Sequence, residues 1–167
     1  MNFFPAEDIV YKTKLKETEI VKRLSENIEP EKKFRIGLFE NSATKPYEGF
    51  IKDQAFNISR IINYRNSFIP RITGNIVHEY DGTKVKVKMR LDGFIVVFLC
   101  IWFGGIGMAG VALLTNSIRN NEFSPVTFIP WGMLTFGYIL TTMGFKFECN
   151  KSKIFLQHLF EAEIMQK

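Results

Sequence analysis

The side chains that most often carry chemistry in proteins are scarce in this sequence and form no recognised arrangement. His78 and His158 have no second histidine, cysteine or carboxylate at metal-ligand spacing, so we interpret both as structural residues, with His78 in the core or at its rim. Cys100 and Cys149 provide neither a disulfide framework nor a C-x-x-C motif, and no G-x-S-x-G or glycine-rich phosphate loop is present. We therefore predict no catalytic residues, no cofactor and no metal, and that the chain is not an enzyme.

Three arginines around the segment YRNSFIPRI are the best candidates for binding. Arg60 has the strand parity of the apolar residues before it, which would direct its side chain into an apolar face. Either a bulge turns Arg60 outward, which we favour because the Ile61-Ile62 doublet also breaks alternation, or the side chain is buried and paired. If it is buried, Arg60 with Arg65 could hold an anionic group such as a lipid phosphate. We predict that Arg60, Arg65 and Arg71 contact an anionic lipid or a partner.

Two long uncharged segments determine the predicted architecture. Gly93–Thr115 has 23 residues without a charge, which gives about 34 Å of helix against a hydrocarbon core of about 30 Å. Pro125–Phe145 is shorter and more polar but also uncharged, and a short polar segment links the two. The pattern predicts a transmembrane helical hairpin. We expect its helices to approach through small residues, namely Gly104, Gly107 or Gly110 against Gly132, Gly137 or Gly144.

Charge is concentrated outside these segments. Of the 39 charged residues, 30 lie in Met1–Asp92, and the net charge of the chain is +5. Basic residues flank the hairpin on both sides, whereas its loop carries only Arg119, so the positive-inside rule places both termini in the cytoplasm. The chain has no nucleic-acid-binding motif, and we expect no nucleic-acid partner. The N-terminus lacks the apolar run of a signal peptide.

An Asp-Gly dipeptide between two alternating runs predicts a β-hairpin over Arg71–Leu91. With this dipeptide as the turn, Tyr80 would lie opposite Thr83, and Ile76 opposite Val87. Alternation would then separate an apolar face from a charged one. The apolar face would contain Ile72, Ile76, His78, Tyr80, Val85, Val87, Met89 and Leu91.

Shorter alternating runs upstream predict further strands at Phe34–Glu40, Tyr47–Asp53 and Ala55–Ile62. A weaker pattern predicts a first strand at Ile9–Leu15. Strands so close together along a chain form an antiparallel meander. The sequence therefore predicts a β-rich domain before the apolar hairpin.

Amphipathic helices are predicted on either side of these elements. One covers Thr18–Ile28 with Thr18 as its N-cap, and the other follows the second apolar segment, with apolar positions at Ile154, Phe155, Leu159 and Phe160. The predicted fold class is α+β: an antiparallel β-meander with an N-terminal helix, and a two-helix transmembrane hairpin inserted before a C-terminal amphipathic helix. We predict a cytoplasmic domain over residues 1–92, the hairpin over 93–145, and a helix over 146–167 that packs on the sheet or the membrane surface.

The stretch from Phe56 to Leu91 carries a resemblance to other proteins. FNISRIINYRNSFIPRITGNI, followed by GTKVKVKMRL and an apolar hairpin, resembles a group of small uncharacterised bacterial membrane proteins with a β-rich domain. The resemblance implies a multi-pass protein of a bacterial inner membrane. It implies no activity.

These features favour a non-enzymatic, membrane-anchored binding or scaffold module that uses its cytoplasmic sheet to bind a protein partner or a second copy of itself. One alternative is a lipid-binding module of the helix-grip or pleckstrin-homology-like kind, with a cavity between the sheet and the last helix. Another is an oligomeric pore subunit, although spans without ionisable residues make a poor pathway.

Overall fold

A single mixed sheet joined to two long apolar helices makes up the computed structural model, which describes residues 5–30 and 45–165. The strands are β1 (Ala6–Thr13), β2 (Ile28–Pro30), β3 (Tyr47–Lys52), β4 (Ala55–Arg60), β5 (Arg71–Glu79), β6 (Gly82–Arg90) and β7 (Glu163–Met165). The helices are α1 (Glu17–Asn27), α2 (Gly93–Asn120) and α3 (Ile129–Phe160), with a 3-10 turn at Pro125–Phe128 before α3.

The sheet has the strand order β2-β3-β4-β5-β6-β1-β7. The predicted α+β class is confirmed, but a purely antiparallel meander is wrong. Strands β3 to β6 form the predicted meander, whereas β2 pairs with β3 in parallel and β1 lies beside β6. The connection through α1 explains this arrangement, because it carries the chain from one edge region of the sheet to the other. The predicted strand Phe34–Glu40 lies outside the described residues.

Helices α1 and α3 cover one face of the sheet, and the core lies between them and the strands. Alternation buries every second residue through β6 and in β5 as far as Ile76, as the sequence pattern predicts, whereas His78 is exposed and does not belong to the apolar face. Ile20 and Leu24 of α1 are fully buried against this face. The opposite face carries exposed residues, including Thr73, Asn75, Val77, Lys86 and Lys88, which we call the open face.

The β5–β6 hairpin exists, but its predicted register is wrong by two residues. Ile76 lies opposite Val85, and the two turn residues are Tyr80 and Asp81. Gly82 belongs to β6, where a Cβ atom would lie 2.4 Å from the Thr13 carbonyl oxygen of β1. The glycine is therefore needed for the close approach of a third strand. A shift of two preserves the faces of the strands, but it removes Tyr80 from the apolar face and leaves it exposed.

The first helix begins one residue before the predicted N-cap. The N-cap is Lys16, which makes no side-chain capping bond, so Thr18 as N-cap is wrong. Two acidic residues, Glu17 and Glu19, lie in the first turn instead. Their charges stabilise the helix N-terminus through its dipole.

Helices α2 and α3 are both long and apolar enough to cross a membrane. The predicted separate helix over 146–167 is wrong, because α3 runs without interruption through Lys146 to Phe160 and the chain then forms β7. The change from apolar to charged residues at Lys146 marks a change of surroundings and not a helix end. We refer to residues 129–145 as the apolar half of α3 and to residues 146–160 as its sheet half.

The predicted contact between small residues of the two helices takes a different form. Gly110 faces Pro130 and Trp131, and Gly137 faces the ring of Trp102, so glycine packs against a ring and not against another glycine. A Cβ would face open space, among the described residues, at Gly93, Gly104, Gly105, Gly107 and Gly132. Asp92 begins α2 as its N-cap, since its side chain accepts a hydrogen bond from the backbone N–H of Phe94.

Candidate functional site

The strands of the sheet end beside the point where α2 begins and where α3 passes from its apolar half to its sheet half. Strand β6 ends at Arg90, two residues before the N-cap of α2. The sheet register places Arg71 and Ala6 at the level of Arg90, and Arg60 opposite Tyr47. We call this end of the sheet proximal and the end near Gly82 distal.

The sheet half of α3 is held on the sheet by a buried stripe and by hydrogen bonds. The stripe consists of Cys149, Ser152, Leu156 and Phe160, and it continues from Phe145 at the end of the apolar half. Ser152 Oγ lies 3.2 Å from the hydroxyl of Tyr47, and Thr13 Oγ1 donates to the Phe160 carbonyl oxygen at 2.7 Å. One bond lies at the middle of the sheet half and the other at its last residue, and together they hold α3 to strands β3 and β1.

Arg60 points towards α3 and pairs with a buried carboxylate. Its Nη1 atom lies 2.7 Å from Oε2 of Glu148, whose side chain is 0% exposed, while that of Arg60 is 25% exposed. The favoured bulge at Arg60 is therefore wrong, and the side chain is instead directed inward, partly buried and paired. Strand β4 continues in register with β3 through this residue. The anion beside Arg60 comes from the chain itself.

The carboxylate of Glu148 is also bound by Tyr64, whose hydroxyl donates to Oε1. Burial by itself raises the pKa of Glu148, but the hydrogen bonds from Tyr64 and Arg60 outweigh it and hold the pKa below its usual value. Glu148 is thus ionised at neutral pH. It joins β4, the following loop and α3 at one point.

The loop of residues 61–70 lies against α3 across the boundary between its two halves. The side-chain amide of Asn66 donates to the Gly144 carbonyl oxygen at 3.3 Å, and its Oδ1 accepts from the Phe68 N–H. The ring of Phe68 occupies the space where a Cβ of Gly144 would lie. Further along α3, Lys151 Nζ lies 3.3 Å from the Tyr64 hydroxyl and 4.0 Å from the ring centre of Phe147.

The three predicted contact residues do not converge on one point. Arg60 faces α3, whereas Arg71 is on the other side of the sheet, 3.7 Å from Asp92. Arg65 is exposed in the loop and forms no hydrogen bond or ion pair with any residue of 5–30 or 45–165. We define the junction cluster as Arg60, Tyr64, Arg65, Glu148 and Lys151.

Sequence reasoning missed Glu148, Tyr64 and Lys151. A signal was available for Glu148, because it is a lone acidic residue next to the stripe of buried positions on α3. It is the natural counterpart of an arginine with inward strand parity. The pairing was hidden because Arg60 and Glu148 are 88 residues apart.

The other side chains that could take part in chemistry lie outside the junction cluster. His78 is exposed at the distal end, 3.6 Å from Glu17, and is therefore at the rim and not in the core. Burial raises the pKa of the Cys149 thiol to about 12, so the thiol stays protonated. Two open clefts of about 410 and 360 Å³ flank Lys14 and Leu15 at the distal end. Within the described ranges, no group of three His, Cys, Asp or Glu side chains could hold a metal.

Comparison of this chain with protein-family models, with curated proteins and with solved structures finds no match.

Proposed function

We propose that this chain is a non-enzymatic, membrane-anchored binding module that presents the open face of its sheet to a protein partner. The observation that carries the proposal is the continuity of α3. One helix has an apolar half with the character of a membrane span and a sheet half buried under the strands. A domain attached in this way has a fixed orientation to the bilayer, as a docking platform requires.

The open face is the surface that this attachment leaves uncovered. Its central positions are polar, and they include Lys86 and Lys88, which lie opposite Asn75 and Thr73 in the hairpin. Neighbouring cations are already neutralised, since Lys84 pairs with Glu79 and Arg90 with Asp8. Lys86 and Lys88 therefore give the centre of the face a positive charge, which favours a partner with an acidic surface.

A photo-crosslinking amino acid at Asn75 tests this proposal in native membranes. We expect an adduct of defined mass at this position, and we expect the double charge reversal Lys86→Glu with Lys88→Glu to abolish it. An adduct twice the mass of the chain would identify a second copy as the partner. The same two-charge reversal on the other side of the domain, Lys16→Glu with Lys22→Glu, is the matched control and should leave the adduct unchanged.

An absent adduct at Asn75 would contradict docking at the open face. So would equal loss of the adduct in both double variants, because a general effect of charge would then explain the result. Both lysines of each pair are exposed in the structure, so neither double variant removes a packed side chain.

The two alternative functions remain proposals with their own tests. For a lipid-binding module, the space between the sheet and α3 would have to open, and it is filled by side chains such as Leu156 and Phe160. Lipid that is retained after removal of the bilayer by detergent, and that persists in Arg65→Gln and Lys151→Gln, would support it. For a pore subunit, a detergent-corrected mass should show an oligomer, and a monomer would end that proposal.

A further inference from the structure

The junction cluster holds more positive than negative charge at its surface. It contains three cations, Arg60, Arg65 and Lys151, but only one carboxylate, that of Glu148. This carboxylate is buried and is already bound by Arg60 and by the hydroxyl of Tyr64. Lys151 lies 3.3 Å from the Tyr64 hydroxyl and acts on Glu148 from a distance, but one carboxylate cannot balance three cations, so the cluster keeps a net positive charge.

The contacts of its neighbours place Arg65 beside the part of α3 that leads to Lys151. Residues on both sides of Arg65 contact α3: Tyr64 binds Glu148, and Asn66 binds the carbonyl of Gly144. Gly144 lies in the last turn of the apolar half of α3, and Lys146 is the first charged residue after it. When the apolar half is in a bilayer, the loop that carries Arg65 is at the depth of the lipid headgroups.

An apolar surface lies directly beside Lys151. Phe147 is exposed on α3, and the ammonium group of Lys151 lies over its ring. A lipid has the matching arrangement, because its charged phosphate lies next to the apolar start of its acyl chains. Arg65 can bind two phosphate oxygens at once, whereas Lys151 contributes a single point charge.

The geometry points to a binding site for the phosphate of an anionic lipid headgroup, formed by Arg65 and Lys151 with Phe147 as its apolar wall. The inference relies on the membrane insertion proposed above but not on docking of a partner at the open face. Its ligand is a lipid of the surrounding leaflet, held at the point where the sheet joins α3. Such a lipid would neutralise the cluster and strengthen the attachment of loop 61–70 to the bilayer.

Native mass spectrometry of the full chain in detergent, with added phosphatidylglycerol or phosphatidylcholine, tests the site. We expect the wild-type protein to retain the anionic lipid and not the zwitterionic one. One basic side chain near an anionic surface changes affinity by roughly fivefold, so Arg65→Gln and Lys151→Gln should each lower retention by about that factor. Arg65→Lys should keep most of it. The matched control is Lys14→Gln, which removes an exposed charge at the distal end.

Each other outcome would overturn the inference. Equal retention of the two lipids, or equal losses in Arg65→Gln and Lys14→Gln, would show that the junction has no selective site. Displacement of phosphatidylglycerol by inorganic phosphate at the same concentration would assign the site to a free anion. Melting temperatures of all variants identify any that is unfolded. If Arg65→Gln is unfolded, the lipid retention of Lys151→Gln tests the site in its place. Loss of the lipid site leaves the crosslink at Asn75 unaffected, so the two proposals fail separately.

Discussion

Glu148 is the residue on which the junction between the sheet and the apolar helices depends most. An ionised carboxylate without contact to water is costly unless it is paired and fully hydrogen-bonded. Both oxygens of Glu148 are used, one by Arg60 and one by Tyr64. Removal of any partner would leave a charge or a strong acceptor unsatisfied, so the three side chains act as a unit that connects a strand, a loop and a helix.

Replacement of Glu148 by glutamine should destabilise the protein by about 3 kcal/mol at neutral pH, because Arg60 loses its buried partner. The native pKa of Glu148 lies below its usual 4.5. The stabilisation from this group is therefore complete above the usual carboxyl pKa and is lost as the pH falls through the lower native value. We expect wild type to lose stability in acid more steeply than Glu148→Gln, as measured by thermal melting in detergent over a series of pH values.

A surface carboxylate provides the control for this experiment. Glu19 pairs with Arg23 at i,i+4 on α1, an exposed arrangement that contributes about 0.3–0.5 kcal/mol. Glu19→Gln should therefore change stability little at neutral pH, and its stability should fall in acid as steeply as that of wild type. Identical acid slopes for Glu148→Gln and wild type would show that Glu148 is not held ionised by its partners.

Gly74 and Phe56 form a second pair whose residue types depend on each other. They lie directly opposite in β5 and β4, and a Cβ at Gly74 would come within 2.1 Å of the Phe56 ring. Gly74→Ala should cost about 2 kcal/mol through overpacking. The double variant Gly74→Ala with Phe56→Leu should be destabilised by less than the sum of the two single variants, and the difference should be at least about 1 kcal/mol. Denaturant unfolding measures all four states of the cycle.

The control for this cycle uses a glycine that faces open space. No atom comes within 4 Å of a Cβ built at Gly104, among the described residues. Gly104→Ala combined with Phe56→Leu should therefore be additive within error. Non-additivity of similar size in both cycles would attribute the effect to a general loss of stability and not to contact between Phe56 and Gly74.

At the scale of elements, local sequence patterns predicted helices and strands, but contacts between distant residues could not be predicted. The apolar helices and the β5–β6 hairpin were predictable because length, hydropathy and alternation are properties of neighbouring residues. The hairpin register was not, since Gly82 is required by the Thr13 carbonyl of another strand. The Arg60–Glu148 pair was missed for the same reason. Charged residues after Phe145 indicated the end of a span, and the sequence offered no sign that the helix itself continued.

Hydrogen exchange tests the continuity of α3 across that boundary. If one helix spans both halves, the backbone amides of residues 146–149 should exchange as slowly as those around Leu156, because every amide has its partner one turn earlier. Exchange measured in lipid nanodiscs by mass spectrometry resolves this segment. The amides around Tyr80 in the exposed hairpin turn provide an internal fast reference. Fast exchange confined to residues 146–149 would indicate two helices joined by a flexible connection, and the fixed orientation of the sheet would then be wrong.

At the scale of the whole molecule, α3 connects the boundary at Phe145 to the distal end of the sheet. The sheet half of α3 rises by about 22 Å over its 15 residues. Through Ser152 it contacts Tyr47 of β3, and through Phe160 it contacts Thr13 of β1, so it reaches from a strand near one edge of the sheet to a strand near the other and ends at the distal end. The distal end of the sheet is therefore about 20 Å from the boundary at Phe145, and the loop after α2 is at the opposite end of the molecule.

Labelling of single cysteines from one side of the membrane tests this arrangement. In a background with Cys100 and Cys149 replaced by alanine, we expect a membrane-impermeant maleimide to label Asn120→Cys in intact cells. Lys14→Cys, at the distal end of the sheet, should be labelled only after permeabilisation, because the basic flanks of the hairpin favour the cytoplasm. Both positions are exposed, so a difference in labelling reports the side of the membrane and not burial. Labelling of both positions from outside would rule out α2 as a span that separates them, and a reversed pattern would place the sheet and its open face outside the cell.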